Sequence, residues 1–281
     1  MIRPFLVALM LAFAAVAAEA KSPAGFVVDI AAPDDVDPVG TIERDGKALP
    51  LAIGSTLFAG DVVRLEKRVE AVDLETSAAP KLRLRPADTP YKIEGELAIG
   101  DGVGGTVGRV IDMIKAPDGE RGGKVTTAAR GDETPQLPGK PAVAQVLARG
   151  ETVAIAFAGG KGPYFVEALG PQKSLGSVKT QAAPALLPIA ADAPKSFAIV
   201  VTGADSRLDR RLVRLVERLP APPAAMLDGL PSAEMRAVAA AIWLADQGDA
   251  YQLAAAGQLA ALAGRYPPAR RALAALVEET R

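Results

Sequence analysis

The chain has 281 residues and contains neither histidine nor cysteine, so most of the side chains that enzymes use are missing. Ser-His-Asp and Cys-His catalysis, Cys/His zinc sites and disulfide bonds are therefore excluded. A catalytic serine without histidine would need a lysine base, and no S-x-x-K motif is present. We predict a non-enzymatic protein without a metal ion or cofactor. Paired carboxylates for glycoside hydrolysis have no recognisable spacing, so a glycan-binding or glycan-modifying role that uses carboxylates is the alternative.

One glycine-rich stretch matches a nucleotide-binding pattern. The segment from Gly100 to Gly105 reads G-x-G-x-x-G, a motif whose backbone amides can cradle a pyrophosphate. The strands predicted before it alternate apolar and polar residues, as antiparallel sheets with one solvated face do. A dinucleotide-binding sheet instead has parallel strands that are buried on both faces. The stretch is therefore predicted to be a flexible turn.

Basic side chains form a row on one predicted strand. Lys81, Arg83 and Arg85 alternate with leucines and so share one face, which would suit a polyanion. Glu94 and Glu96 are available to pair with this row across strands. The whole chain carries 32 Lys and Arg against 33 Asp and Glu, so it lacks the positive field of a nonspecific nucleic-acid binder. We predict a solubilising strand face and no nucleic-acid partner.

A second group of basic residues lies in the C-terminal third. From Asp205 onward the leucines recur with helical spacing, which predicts a helix from Ser206 to Leu219 whose apolar stripe packs on the helices that follow. The opposite face of this helix would carry four arginines whose guanidinium groups suit carboxylates on a partner protein: Arg210, Arg211, Arg214 and Arg218. Adsorption to an anionic membrane surface and a merely solvated face are the alternatives.

The N-terminus has the three parts of a secretory signal peptide. Arg3 gives a short positive region, the stretch from Pro4 to Ala18 has no charged residue, and Ala18-Glu19-Ala20 reads as an A-x-A cleavage site. A membrane span needs about 20 apolar residues, so the apolar run is too short to serve as an anchor. We predict export, cleavage after Ala20, and a periplasmic or secreted protein with no transmembrane segment in the mature chain.

The elements that would position these residues fall into three groups. Short alternating strands predict an all-β domain over 21–116, and a Gly- and Pro-rich stretch over 117–141 predicts a linker or a long connection. A second set of strands predicts a small β-sandwich-like domain over 142–203. Helical periodicity then predicts a helical domain over 204–281, with one helix that starts at Ser232. The predicted fold class is multidomain α+β.

The first β region resembles a known family. Gly54, Leu57, Gly60, Asp61 and Val63 match the G-(D/S)-x-L-x-x-G-D-x-V/I run that is typical of FecR-like periplasmic domains. The resemblance covers about a third of the chain and implies a β meander outside the inner membrane. Well-known members transmit a signal from an outer-membrane transporter to a cytoplasmic sigma factor. Secreted multidomain proteins use the domain for binding or as a scaffold, and this second use is closer to the present chain.

The C-terminal helices are loosely similar to tetratricopeptide-type pairs. Gly248, Tyr251 and Ala260 fall at the spacing of that family, whereas Pro267 comes about five positions early. At most one and a half repeats fit, which is fewer than the ~3 that an independent array needs. Taken with the predicted export, these observations favour an envelope protein of bacteria that binds or scaffolds another envelope protein.

Overall fold

The computed structural model describes residues 22–97, 104–115, 134–150 and 152–279. Within these ranges the chain is an α+β protein, as the sequence predicts, with several β-sheets followed by a helical C-terminal part. The predicted signal peptide and the residues from Gly100 to Val103 lie outside the described residues. No helix in the described part of the chain is both long and apolar enough to cross a bilayer.

Eight short strands build the N-terminal part: β1 (Pro23–Ala31), β2 (Gly40–Arg44), β3 (Lys47–Pro50), β4 (Thr56–Phe58), β5 (Val62–Leu65), β6 (Ala71–Thr76), β7 (Leu82–Leu84) and β8 (Tyr91–Lys92). They form two antiparallel four-stranded sheets, with the orders β4-β1-β6-β7 and β3-β2-β5-β8. Apolar side chains of both sheets meet in one core, which includes Val27, Ile42, Leu57, Val63 and Leu74. The turn between β2 and β3 is Asp45-Gly46, with φ of 49° and 74°, which confirms the predicted hairpin.

Seven further strands build the middle part: β9 (Gln145–Ala148), β10 (Thr152–Ile155), β11 (Tyr164–Leu169), β12 (Ser174–Thr180), β13 (Ala185–Pro188), β14 (Ser196–Thr202) and β15 (Leu208–Val216). Five of them form one sheet with the order β12-β11-β14-β15-β9, in which only the β15-β9 pair is parallel. The strands β10 and β13 pair separately in an antiparallel ladder.

Strand β15 occupies the segment for which the sequence predicts a helix, and the prediction of a helix from Ser206 to Leu219 is wrong. The strand pairs with β14 from Leu208 to Arg214 and with β9 from Val213 to Val216. Its side chains alternate between the two faces of the sheet, so Val213 is buried while Leu208 and Leu212 are exposed. The predicted apolar stripe therefore does not exist as one surface.

The helical pattern misleads because a buried arginine interrupts the alternation. The side chain of Arg211 points into the interior with those of Val213 and Leu215. The sequence therefore has a charged residue at a position where the alternation of a strand requires an apolar one. Since β15 belongs to the five-stranded sheet, the predicted domain boundary between residues 203 and 204 is also wrong. The first helix after β15 begins at Ala224.

Five α-helices are described: α1 (Gly104–Lys115), α2 (Ala224–Asp228), α3 (Ala233–Asp246), α4 (Gln252–Ala263) and α5 (Pro267–Glu279). Ser232 caps α3 as predicted, because its hydroxyl accepts a hydrogen bond from the backbone N–H of Met235 at 2.9 Å. Helix α4 contacts β9 and β10. This approach is close at Gly257, where an added Cβ would lie 2.5 Å from the carbonyl oxygen of Ala154.

A second and larger core joins the helices to both β parts. It contains residues of the middle strands and of the helices, for example Ile199, Ile242 and Leu259, and it also takes in Phe26 and Val28 of β1. Strand β1 is therefore buried on both faces, because Val27 points into the N-terminal core. The junction between the N-terminal sheets and the helices lies along the outward face of β1 and β6.

The stretch predicted as a linker is packed at its C-terminal end. Residues 117–133 lie outside the described residues, whereas Leu137 is buried and Gln136 forms an isolated bridge with Ala158. The side chain of Arg211 binds the carbonyl oxygens of Leu137 and Gly139. These contacts hold residues 136–139 against the five-stranded sheet, so this end of the stretch is not a solvated linker.

Candidate functional site

The four arginines predicted to bind a partner do not share one face. Arg210 and Arg214 are exposed on the outward side of β15, and Arg218 is exposed just beyond the strand. Arg211 points to the opposite side and is 4% exposed. Its guanidinium donates to the carbonyl oxygens of Gly139 at 3.0 Å and Leu137 at 2.6 Å, and it pairs with Asp209 at 2.5 Å. Arg211 thus has a structural role.

The outward side of the five-stranded sheet, here called the outer sheet face, presents apolar side chains to solvent. The strand register places Phe165, Thr202 and Leu208 side by side across three strands. The next rows of the same face are Glu167, Val200 and Arg210, then Leu169, Ala198 and Leu212. Exposure is 44% for Phe165, 55% for Leu208 and 54% for Leu212, so all three remain open to a partner.

This face combines apolar and cationic groups. The alternation of β15 places Arg210 and Arg214 beside Leu208 and Leu212, and a guanidinium group prefers a carboxylate partner in a planar, bidentate geometry. Three large exposed apolar side chains on one sheet face make it a candidate interaction surface. The arrangement suits docking of an apolar surface that is bordered by Asp or Glu.

A cleft forms the second candidate region, at the junction of the N-terminal sheets and the helices. Its walls are the outward faces of β1, β6 and β7 and the corner between α4 and α5, and its volume is about 280 Å³. The polar residues that line it carry three carboxylates and three cations: Asp29, Asp73, Glu75, Lys81, Arg83 and Arg265. Val28 and Pro267 add apolar surface to the cleft, whereas the side chain of Leu82 packs against the N-terminal core on the opposite face of β7.

Ion pairs occupy most of the charged groups of the cleft. Asp73 and Arg83 lie opposite each other on β6 and β7 and pair at 3.3 Å. Lys81 pairs at 2.9 Å with Glu234 of α3, outside the cleft lining. Asp29 pairs at 2.6 Å with Arg271 of α5. The basic row that the sequence analysis assigns to a solubilising face thus contributes Lys81 and Arg83 to a cleft, each with an acidic partner.

Glu75 closes the inner end of the cleft and is almost completely buried, with 2% exposure. One carboxylate oxygen accepts a hydrogen bond from the hydroxyl of Tyr266 and the other accepts one from the hydroxyl of Ser232, both at 2.8 Å. Burial raises the pKa of Glu75, and the two hydrogen bonds oppose this rise only in part. Burial also raises the pKa of the Tyr266 hydroxyl, and the neighbouring Glu75 carboxylate raises it further.

The carboxylates of the cleft differ in what they can do chemically. Both oxygens of Glu75 are engaged by hydroxyl groups, so this residue serves to join elements. Asp73 is partly exposed, and burial raises its pKa more than the nearby Arg83 lowers it. Within the described ranges, no group of three or more acidic side chains is arranged to hold a metal ion. The cleft therefore offers hydrogen-bond acceptors and donors to a ligand.

Lys81 and Arg83 stand out in the sequence, whereas Glu75, Tyr266 and Asp73 are not among the residues predicted to form a site. Glu75 and Tyr266 are 191 positions apart and neither belongs to a local motif. An alternation signal was available for Asp73 and Glu75, since both fall on the polar face of a strand in which Val72 and Leu74 are buried. Nothing in the sequence indicates that a helix corner covers that face.

Comparisons with known proteins give little further guidance. No family model matches the chain, and no curated protein matches it either. Among solved structures, the Arg-specific cysteine proteinase gingipain R aligns over 29% of this chain and 18% of its own, with 10% identity and a TM-score of 0.24. The BSP domain of a biofilm-associated protein aligns over 65% of this chain and 32% of its own, with 12% identity and a TM-score of 0.24. The chain thus spans less than a third of either structure.

Proposed function

We propose that this chain is an exported bacterial envelope protein that acts as a non-enzymatic binding or scaffold module. The observation that carries the proposal is the outer sheet face, where Phe165, Leu208 and Leu212 remain exposed beside Arg210 and Arg214. The partner that fits this face is an envelope protein that presents apolar side chains bordered by carboxylates. Apolar contact supplies most of the binding free energy, and the arginines orient the partner.

The proposal includes a FecR-like domain in the N-terminal part, and the geometry of the motif residues supports it. Gly54 and Gly60 have φ of 76° and 89°, a conformation that favours glycine, at the two ends of β4. Leu57 and Val63 are fully buried between the sheets. The Asp61 carboxylate accepts a hydrogen bond from the backbone N–H of Phe58 at 2.9 Å and pairs with Arg44 at 2.7 Å. Each motif residue thus has a structural reason for its type.

The outer sheet face is tested by affinity purification of the tagged protein from envelope extracts. The double variant Leu208→Ser and Leu212→Ser removes the apolar side chains of β15, and we expect it to lose the recovered partner. A matched control is Leu186→Ser, because Leu186 is 61% exposed but lies on the separate two-stranded sheet. Equal recovery by the double variant and the wild type, with unchanged melting, would exclude this face.

The contribution of the arginines is tested separately by salt. The double variant Arg210→Gln and Arg214→Gln keeps the apolar strip and removes two exposed charges. We expect weaker partner recovery at low salt and a smaller loss of recovery on addition of salt, since the field of exposed charges decays over a Debye length of about 10 Å at 0.1 M. Recovery and salt dependence equal to those of the wild type would remove the arginines from the interface.

Export is tested by the mass of the mature protein. The chain recovered from the periplasm or the medium should begin at Lys21, as the A-x-A site predicts. The matched variant Ala18→Arg disrupts that site and should accumulate as a longer precursor. Recovery of the wild-type chain only in the cytoplasm with Met1 retained would contradict the predicted location.

A further inference from the structure

The cleft beside β6 differs from the outer sheet face in both shape and charge. It lies between a rigid sheet and a helix corner, both anchored by the buried contacts of Glu75 with Ser232 and Tyr266. Its volume of about 280 Å³ is at the lower end of the ~300–1,000 Å³ that is typical of small-molecule sites. The space suits one or two rings the size of a sugar and is too small for a folded partner.

The charges of the cleft cancel locally. Three carboxylates face three cations in its lining, and Asp73 and Arg83 already form an ion pair there. A charged ligand that binds one member of this pair also lies close to the other member, whose like charge repels it. The lining as a whole therefore carries no net formal charge that would favour an anion over a cation.

Hydroxyl groups can use the same residues without breaking the pairs. A guanidinium has five N–H donors and a carboxylate has about four acceptor positions, and the Arg83–Asp73 contact uses one of each. A ligand hydroxyl can donate to the carboxylate and accept from the adjacent guanidinium at the same time. The apolar surface from Val28 and Pro267 can contact the C–H face of a ring.

We propose that this cleft binds a short neutral segment of a glycan, one or two sugar residues long, with Asp73 and Arg83 as its principal hydrogen-bonding groups. This site is distinct from the outer sheet face, and neither proposal depends on the other. No bond is made or broken in the ligand, so the site is a recognition site. Of the two glycan roles that the sequence leaves open, binding and modification, this proposal takes the binding role. The site lies at the junction of the N-terminal sheets and the helices.

Isothermal titration calorimetry on the mature full-length protein tests this site. The neutral probes are cellobiose and N,N′-diacetylchitobiose, and the charged probes are the anion digalacturonate and the zwitterion glycylglycine. We expect at least one neutral probe to bind, and we expect Asp73→Asn and Arg83→Gln each to weaken it by about tenfold, since each variant loses charge-assisted hydrogen bonds. The matched controls Glu43→Gln and Arg64→Gln, an exposed pair on the other sheet at 2.9 Å, should leave the affinity unchanged.

Three results would overturn the proposal. The first is that neither neutral probe gives a heat of binding at concentrations up to on the order of 10 mM. The second is that a charged probe binds more tightly than both neutral probes. The third is that Asp73→Asn and Arg83→Gln leave the affinity for the neutral probe unchanged. The side chain of Arg83 is 56% exposed, so Arg83→Gln should fold even if Asp73→Asn does not. In that case the affinity of Arg83→Gln for the neutral probe tests the proposal by itself. Partner recovery through the outer sheet face is measured independently and does not enter this test.

Discussion

The hydroxyl of Tyr266 donates a buried hydrogen bond of 2.8 Å to the carboxylate of Glu75, and this contact joins the N-terminal sheets to the helices. Ser232, the N-cap of α3, binds the second oxygen of the same carboxylate. A further buried contact runs from Arg271 of α5 to the carbonyl oxygen of Val28 at 2.8 Å. One face of the N-terminal sheet, through its central strands β1 and β6, is thus held to α3, to the α4–α5 corner and to α5 by polar contacts.

The first prediction concerns the hydroxyl of Tyr266. Tyr266→Phe keeps the ring and removes the donor, which leaves one oxygen of the buried Glu75 carboxylate without its hydrogen bond. We expect the free energy of unfolding to fall by about 1–3 kcal/mol in urea titrations, because an unsatisfied buried acceptor has a desolvation cost of that size. The control is Tyr251→Phe, since Tyr251 is only half-buried, and its change should stay within about 0.5 kcal/mol. Equal effects of the two variants would contradict the importance of the contact.

The second prediction is a pH dependence of stability. Burial raises the pKa of Glu75 in the folded protein above the value of about 4.3 of an unfolded chain, so in this pH range the folded state binds more protons than the unfolded state. Stability contributed by this group is therefore present at low pH and decreases as the pH rises above about 4.3. We expect the difference in unfolding free energy, wild type minus Glu75→Gln, to decrease between about pH 4 and pH 8.

Glu234 provides a control of opposite sign for this pH dependence. A hydrogen bond from Lys81 lowers its pKa, so its contribution to stability is present above the unfolded pKa and lost as the pH falls. The difference between wild type and Glu234→Gln should thus increase with pH, by a small amount because the ion pair is largely exposed. If the stability differences for Glu75→Gln and Glu234→Gln changed with pH in the same direction, the opposite pKa shifts assigned to Glu75 and Glu234 would be contradicted.

The sequence predicts elements whose pattern is local and misses those whose pattern depends on distant residues. The hairpin at Asp45-Gly46 and the cap at Ser232 are correct because turn and cap residues act on their own neighbours. The segment around Arg211 is wrong because its partners, Gly139 and Leu137, lie about 70 positions earlier. The site at Glu75 follows the same rule, since burial by a helix corner leaves no local signal.

The third prediction separates the arginines of β15. Arg211→Gln should lower the free energy of unfolding by about 3–5 kcal/mol, because it leaves Asp209 and two carbonyl oxygens without their buried partner. Arg210→Gln, one position earlier on the exposed face, should change stability by no more than about 0.5 kcal/mol. Chemical denaturation measures both. A helix with all four arginines exposed would give two small and similar effects, so this pair of variants also tests the strand assignment.

The last prediction uses two glycines in and beside α4. Alanine favours a helix over glycine by about 1 kcal/mol, so Gly257→Ala in an isolated helix would be stabilising. In the protein the new Cβ would lie 2.5 Å from the carbonyl oxygen of Ala154, and the strand β10 that carries this atom is paired with β13. We expect Gly257→Ala to lower the melting temperature, with a destabilisation of about 1–3 kcal/mol from overpacking. Gly264→Ala, where nothing lies within 4 Å and φ is −70°, should be neutral or stabilising by about 0.4–1 kcal/mol. A stabilising effect at both positions would mean that α4 does not pack directly on β10.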